Sequence, residues 1–241
     1  MTDQKNEAKY MPLIDHIKEL RNRTLLTFAI FIISCFICLI YVQDISLFIE
    51  RPALNIKFLQ LTPGEYLFVS IKIAIYLAAV VSSPFGLYQV IQFISPGLTE
   101  EENKYIIPTA IGSLILFFIG TIFSYEILIP ITLNFFIKYG SDIVEPIWSF
   151  NEYFNFISLT LFTTGICFQI PIIQIILGLN KILAWESMLK NWKYIAFTST
   201  IVSAVITPST DPITQLFLTG TILFLYLSGI FILKNIEKPK G

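Results

Sequence analysis

The chain has 241 residues, 55% of them hydrophobic and only 14% charged, and its mean hydropathy of +0.72 lies far from that of water-soluble domains. Such a composition belongs in a lipid bilayer. A net charge of -1 excludes a nucleic-acid binder driven by phosphate neutralisation. Cys35, Cys38 and Cys167, all within apolar stretches, exclude a disulfide framework or a thiolate zinc site, and the single histidine, His16, excludes histidine-ligated copper or iron. With no Gly-rich phosphate loop, no G-x-S-x-G and no H-E-x-x-H, the sequence expects no enzyme chemistry, no metal and no cofactor.

In chain order, residues 1–10 are short, polar and of mixed charge, without a signal peptide's apolar core. Residues 12–23 then place Leu13, Ile17, Leu20 and Thr24 on one helical stripe and Asp15, Glu19 and Arg23 on another. This reads as an interfacial helix feeding the first crossing, with Glu19 and Arg23 paired at i, i+4. Stretches free of Asp, Glu, Lys and Arg follow at 24–43, 73–99, 105–125, 153–180, 194–210 and 212–233. Each is near or above the ~17–25 residues that carry a helix across ~30 Å of hydrocarbon. The expected fold is an all-α integral membrane protein of six transmembrane helices, the fifth and sixth short. Its divisions are an N-terminal amphipathic segment at 1–23, a membrane domain at 24–233 and a tail at 234–241.

The helix starts are legible too. Thr62-Pro63-Gly64-Glu65, Thr99-Glu100-Glu101-Glu102 and Ser149-Phe150-Asn151-Glu152 each read S/T-x-x-E, a capping box opening spans two, three and four. Asp211-Pro212 sets an N-cap residue before a first-turn proline and opens span six. The connections at 44–61 and 126–151 carry apolar residues and are expected to form short caps or interfacial helices. Lys72, within span two, is expected to snorkel or to pair with Glu65, two turns earlier.

Cations orient the chain. Of its 16, Arg51, Lys57, Lys72 and Lys138 fall on one side and the others on the side of the termini, which the positive-inside rule makes cytoplasmic or stromal. Against that bias stand three adjacent carboxylates, Glu100, Glu101 and Glu102. Capping accounts for one of them; the set invites a cationic partner. Gln169, midway along the fourth apolar run and just before Pro171, is expected to face protein with a hydrogen-bonding partner.

Taken together, Leu13-Ile14-Asp15-His16-Ile17-Lys18-Glu19-Leu20-Arg21-Asn22-Arg23, Phe93-x-x-Pro96-x-Leu98-x-x-x-Glu102-x-x-x-x-x-Pro108, Phe168-Gln169-Ile170-Pro171 and Thr207-Pro208-Ser209-Thr210-Asp211-Pro212-x-x-Gln215 resemble TatC, the receptor core of the twin-arginine protein translocase. The resemblance covers essentially the whole chain. It implies a receptor for folded cargo whose signal peptide carries two consecutive arginines, received by Glu19 and Glu102. Leu20, Arg21, Phe93, Pro96 and Leu98 match positions that shape that patch, while Arg23 is expected to anchor the helix at the headgroups. A planar guanidinium fork suits a carboxylate better than an ammonium does.

The resemblance further implies single-span TatA-like and TatB-like partners, docking near Gln169 and Pro171, self-association in a receptor complex, and transport driven by the proton gradient. Family members often carry glutamate where this chain has Gln169, so a hydrogen-bonding role survives here and a protonation role does not. Pro52 and Asp211 match structural positions in far-side connections. Isoleucine far outnumbers alanine and lysine outnumbers arginine, as AT-rich codons would produce. That favours a plastid thylakoid membrane over a bacterial plasma membrane. The competing reading is a secondary transporter of a small solute or ion; a near absence of ionisable groups at mid-membrane counts against it.

Overall fold

A computed structural model describes residues 13–53, 56–94, 106–140, 145–206 and 212–237. Helix α1 (Leu13–Ile40) runs 28 residues without a break, because nothing in that stretch is glycine or proline. At 1.5 Å per residue it is ~42 Å long. The amphipathic segment and the first apolar run are therefore one rod, laid along α3 (Glu65–Ile94). The end of the molecule where α1 begins is called the near end below, the opposite one the far end.

At the far end, α2 (Val42–Glu50) leads into a 3-10 turn, Arg51–Ala53, with Pro52 at its centre. Helix ends expose unpaired carbonyls. Here two phenols cover them: Tyr125 Oη donates to Phe48 O at 2.6 Å and Tyr153 Oη to Ile49 O at 2.7 Å. The fold is not all helix, as the sequence led us to expect. Strand β1 (Lys57–Leu59) pairs in parallel with β2 (Ile147–Ser149), Phe58 opposite Trp148. Three-residue strands so far apart in sequence leave no periodicity to read. They close a core built from Ile49, Val69, Ile73, Ile129, Leu133 and Phe154.

Glu65 supplies the carboxylate half of the expected capping box. Its Oε2 accepts from Leu61 N at 2.5 Å and Thr62 N at 3.1 Å, and its Oε1 from Ser149 Oγ at 3.2 Å. Because those bonds employ Glu65, Lys72 does not pair with it. Lys72 Nζ instead donates to Asn151 Oδ1 at 2.8 Å and lies 3.5 Å from Asn155 Oδ1. The box at Ser149 is made by its hydroxyl, which accepts from Glu152 N at 3.4 Å. That at Thr99 lies outside the described residues, as does Asp211.

Two prolines sit inside helices. Pro84 cannot donate to Val80 O, and the Ser83 hydroxyl takes that carbonyl at 2.9 Å. Between α4 (Ile106–Phe123) and α5 (Ile129–Gly140), the segment Ser124–Leu128 widens to a π turn, with Ile129 N reaching Ser124 O. Pro130, which would otherwise press on the Glu126 carbonyl, explains the widening. Helix α6 (Phe150–Cys167) is interrupted at Phe168 and Gln169, and α7 (Ile170–Leu179) carries the chain onward with Pro171 in its first turn.

The short α8 (Trp185–Lys190) precedes α9 (Trp192–Ile206), which packs on α10 (Pro212–Glu237). Five helical stretches among the described residues are long and apolar enough to cross a membrane: His16–Ile40, Glu65–Phe93, Ile107–Tyr139, Phe150–Leu179 and Pro212–Ile236. At 15 residues, α9 is ~22 Å long and short of a full hydrocarbon core, as expected, whereas α10, expected to be short as well, runs 26 residues because its apolar run continues without a break into Lys234–Glu237.

Candidate functional site

The first turns of α1 and the last turns of α3 meet at the near end. Glu19 and Arg23, one turn apart, form an ion pair: Arg23 donates from Nη2 at 2.6 Å and from Nε at 2.9 Å, both to Glu19 Oε1. Arg23 Nη1 donates to Gln89 Oε1 on α3 at 2.8 Å. Arg23 thus bridges α1 and α3. The three contacts pin the guanidinium between helices, so Glu19 is held by its own chain through one oxygen only. Its other oxygen, Oε2, is shielded from solvent and has no hydrogen-bond partner among the described residues.

Around that oxygen stand rings. His16 Nδ1 lies 4.0 Å from Oε2, and the His16 imidazole stacks on Phe93 with centroids 4.1 Å apart. Leu20 and Arg21 are exposed beside it. Of the residues expected to join this patch, Glu102, Pro96 and Leu98 lie outside the described residues. The structure therefore brings together Glu19, Arg23 and Phe93 and adds His16 and Gln89. Gln89 is a polar residue 8% exposed in a long apolar run, the one sequence signal that could have pointed to it. An unpaired carboxylate oxygen in low-dielectric surroundings is costly, and a donor cation is what would relieve it.

Beside this cluster an apolar groove of about 490 Å³ opens between α3 and α4, lined by Val81, Pro84, Phe85, Tyr88, Ile111 and Phe118 among others. Among the described residues its polar lining is the Gln92 amide and the Tyr88 hydroxyl, with no carboxylate or ammonium.

Gln169 is placed differently from the accessible mid-membrane amide that partner docking would use. It is 3% exposed, its Oε1 accepts from Ser113 Oγ at 2.7 Å, and its Nε2 donates to Ser113 O at 3.2 Å. A single residue of α4 thus satisfies both ends of the amide, and Pro171 beside it is buried. Replacing Gln169 by leucine should strand the Ser113 hydroxyl and cost about 1–3 kcal/mol. Thermal unfolding in detergent checks this. Adding Ser113→Ala to that variant should recover part of the loss, as coupled partners do.

A bundle of membrane-length helices with a half-engaged carboxylate at one end defines a polytopic membrane receptor more readily than a channel or pump. The comparisons agree. Residues 15–220 match the family model of the Sec-independent protein translocase protein TatC. The chain is 54% identical over 228 residues to the tatC-like protein ycf43 of Gracilaria tenuistipitata var. liui, covering 95% of this chain and 96% of that one. It is 47% identical over 220 residues to the Sec-independent protein translocase protein TatC of Synechocystis, covering 91% and 87%. It superposes on a crystal structure of the twin arginine translocase receptor TatC with a TM-score of 0.80 and 29% identity, covering 91% and 98%. The chain belongs to the TatC family, the receptor-subunit family of the twin-arginine translocase, and is a membrane protein and not an enzyme.

Proposed function

We propose that Glu19, together with Glu102, receives the paired arginines of a signal peptide at the near end of the bundle, with Leu20, Arg21, Phe93, Pro96 and Leu98 shaping the surface around them. The observation that carries this reading is the Glu19 carboxylate, fixed through Oε1 by Arg23 and unpaired at Oε2. Two arginines call for two carboxylates, and Glu102 is the second by its place in the sequence motif. The near end then faces the stroma, in keeping with the cations on that side.

Helix α9 completes a sixth crossing at a site of local thinning, packed on α10 through Ser203 and Thr219, whose hydroxyl oxygens are 2.6 Å apart. Both termini then lie on one side. The segment 1–23 presents the receptor carboxylate, 24–233 forms the membrane body and 234–241 is a tail. The names of the algal ycf43 relatives, the cyanobacterial TatC and the chloroplastic TATC of rice support a plastid thylakoid location. TatA-like and TatB-like single-span proteins and further copies of this chain are its partners. Gln169 and Pro171 serve their docking indirectly, by setting the contact of α4 with the α6–α7 break; Pro52 and Asp211 hold far-side turns.

Crosslinking from positions 19 and 102 to a twin-arginine precursor tests the site. Crosslinks are expected in unenergised membranes. They should fade as ionic strength rises, since a partly exposed ion pair is screened over ~8–10 Å. A precursor carrying Lys-Lys should give few. Binding that appears only after the membrane is energised would contradict a preformed surface site and restore the transporter reading.

A further inference from the structure

Resting on the reading of Glu19 as an arginine acceptor, we propose that His16 is a further specificity-determining residue of that site: neutral, it leaves Glu19 Oε2 to the incoming guanidinium, and protonated, it takes that oxygen itself. The geometry is specific. Arg23 engages Oε1 through two nitrogens and is tied off by Gln89, so it cannot also cover Oε2. Oε2 is buried and unpartnered, and the imidazole Nδ1 faces it at 4.0 Å, one turn earlier on α1. A small rotation of the ring would bring Nδ1 into hydrogen-bond range. The His16 side chain, 37% exposed, has room for that movement.

Neutral imidazole offers two favourable features to a guanidinium. Its ring stacks nearly parallel on Phe93, at 19°, and the outer face of that stack is a flat surface on which a planar cation can be layered. It also carries no charge to repel a second arginine. Imidazolium reverses both: it pairs with the unpartnered oxygen and places a positive charge where the peptide's arginines must come. Among the described residues, the groups shown against His16 are Glu19 on α1, which Arg23 also engages, and Phe93 on α3, with Gln89 behind Arg23; Lys18 is a further charged residue on α1, and no residue from Ile73 to Phe93 is Asp, Glu, Lys, Arg or His.

The test uses the full chain in lipid vesicles and a synthetic peptide bearing Arg-Arg ahead of an apolar stretch, with affinity measured from pH 8 to pH 5.5. The unmodified chain should lose affinity roughly two- to fivefold towards acid, the range for a partly exposed ion pair. His16→Phe keeps a ring on Phe93 and cannot titrate; its affinity profile should be flat. His16→Lys carries the charge throughout and should bind weakly at every pH. A His16→Phe profile that falls as the unmodified one does, or a His16→Lys chain that binds as tightly as the unmodified chain at pH 8, overturns the role of His16. Glu19→Gln run in parallel separates the two ideas: if it binds the peptide undiminished, the failure lies with Glu19 as acceptor, whereas a weakened Glu19→Gln beside an acid-sensitive His16→Phe indicts His16 alone.

Discussion

Glu19→Gln should weaken binding of a twin-arginine peptide by roughly 10- to 100-fold while the protein stays folded. The size follows from removing the charged acceptor of a hydrogen bond, worth about 1.5–3 kcal/mol, in a place largely screened from water. The fold tolerates the change because Arg23 keeps its bond to Gln89 and can still donate to the glutamine oxygen at position 19. The loss of stability should therefore stay near 1 kcal/mol. Glu19→Lys should do worse on both counts, since it sets a second cation against Arg23. The measurement is peptide affinity at low ionic strength alongside thermal unfolding of the same samples. If affinity and stability fall in proportion, Glu19 is a packing residue and not an acceptor.

Gly229→Ala should destabilise the bundle by about 1–3 kcal/mol, as overpacking does in close-packed interiors. Helices α7 and α10 run side by side and approach at two glycines. A Cβ at Gly229 would collide with Gln174 Oε1 and lie 2.9 Å from Pro171 Cα. The side chain of Gln174 is 5% exposed, but Pro171 contributes backbone, which has nowhere to go. Gly178 on α7 presents the same problem to Leu233, whose side chain is fully buried. Without a hydrophobic drive between helices in lipid, such close backbone contact is what holds a pair together. Gly220→Ala is the control: nothing lies within 4 Å of its added Cβ, so it should be neutral or slightly stabilising. Denaturation in detergent micelles should rank Gly229→Ala below Gly220→Ala; equal stability would mean α7 and α10 separate freely.

Both predictions turn on residues that the sequence made visible unequally. Glu19 and Arg23 could be paired from spacing alone, because i and i+4 share a helix face. That Arg23 reaches Gln89 could not, since the two are 66 residues apart and meet only when α1 lies along α3. Gln169 shows the same limit. Sequence required a partner for a polar group at bilayer depth, and it could not say whether another protein or Ser113 would supply one. Lys72 went to Asn151 for a similar reason: Glu65 was already engaged by Leu61, Thr62 and Ser149, the last contributed by β2.

What the sequence determined by itself is whatever depends on local chemistry and transfer to lipid. Long uncharged runs must be helical, because an unpaired backbone amide in hydrocarbon costs several kcal/mol and a helix satisfies each one within the run. Thr62 and Ser149 marked where helices would start, and Pro171 where one would be interrupted. Tertiary structure alone decided which faces meet. It paired two three-residue strands from distant loops, capped α2 with the phenols of Tyr125 and Tyr153, and held Glu19 by one oxygen while leaving the other buried without a hydrogen-bond partner among the described residues. Such contacts depend on how helices are rotated and staggered against one another, and residues far apart in the chain record no periodicity that fixes either.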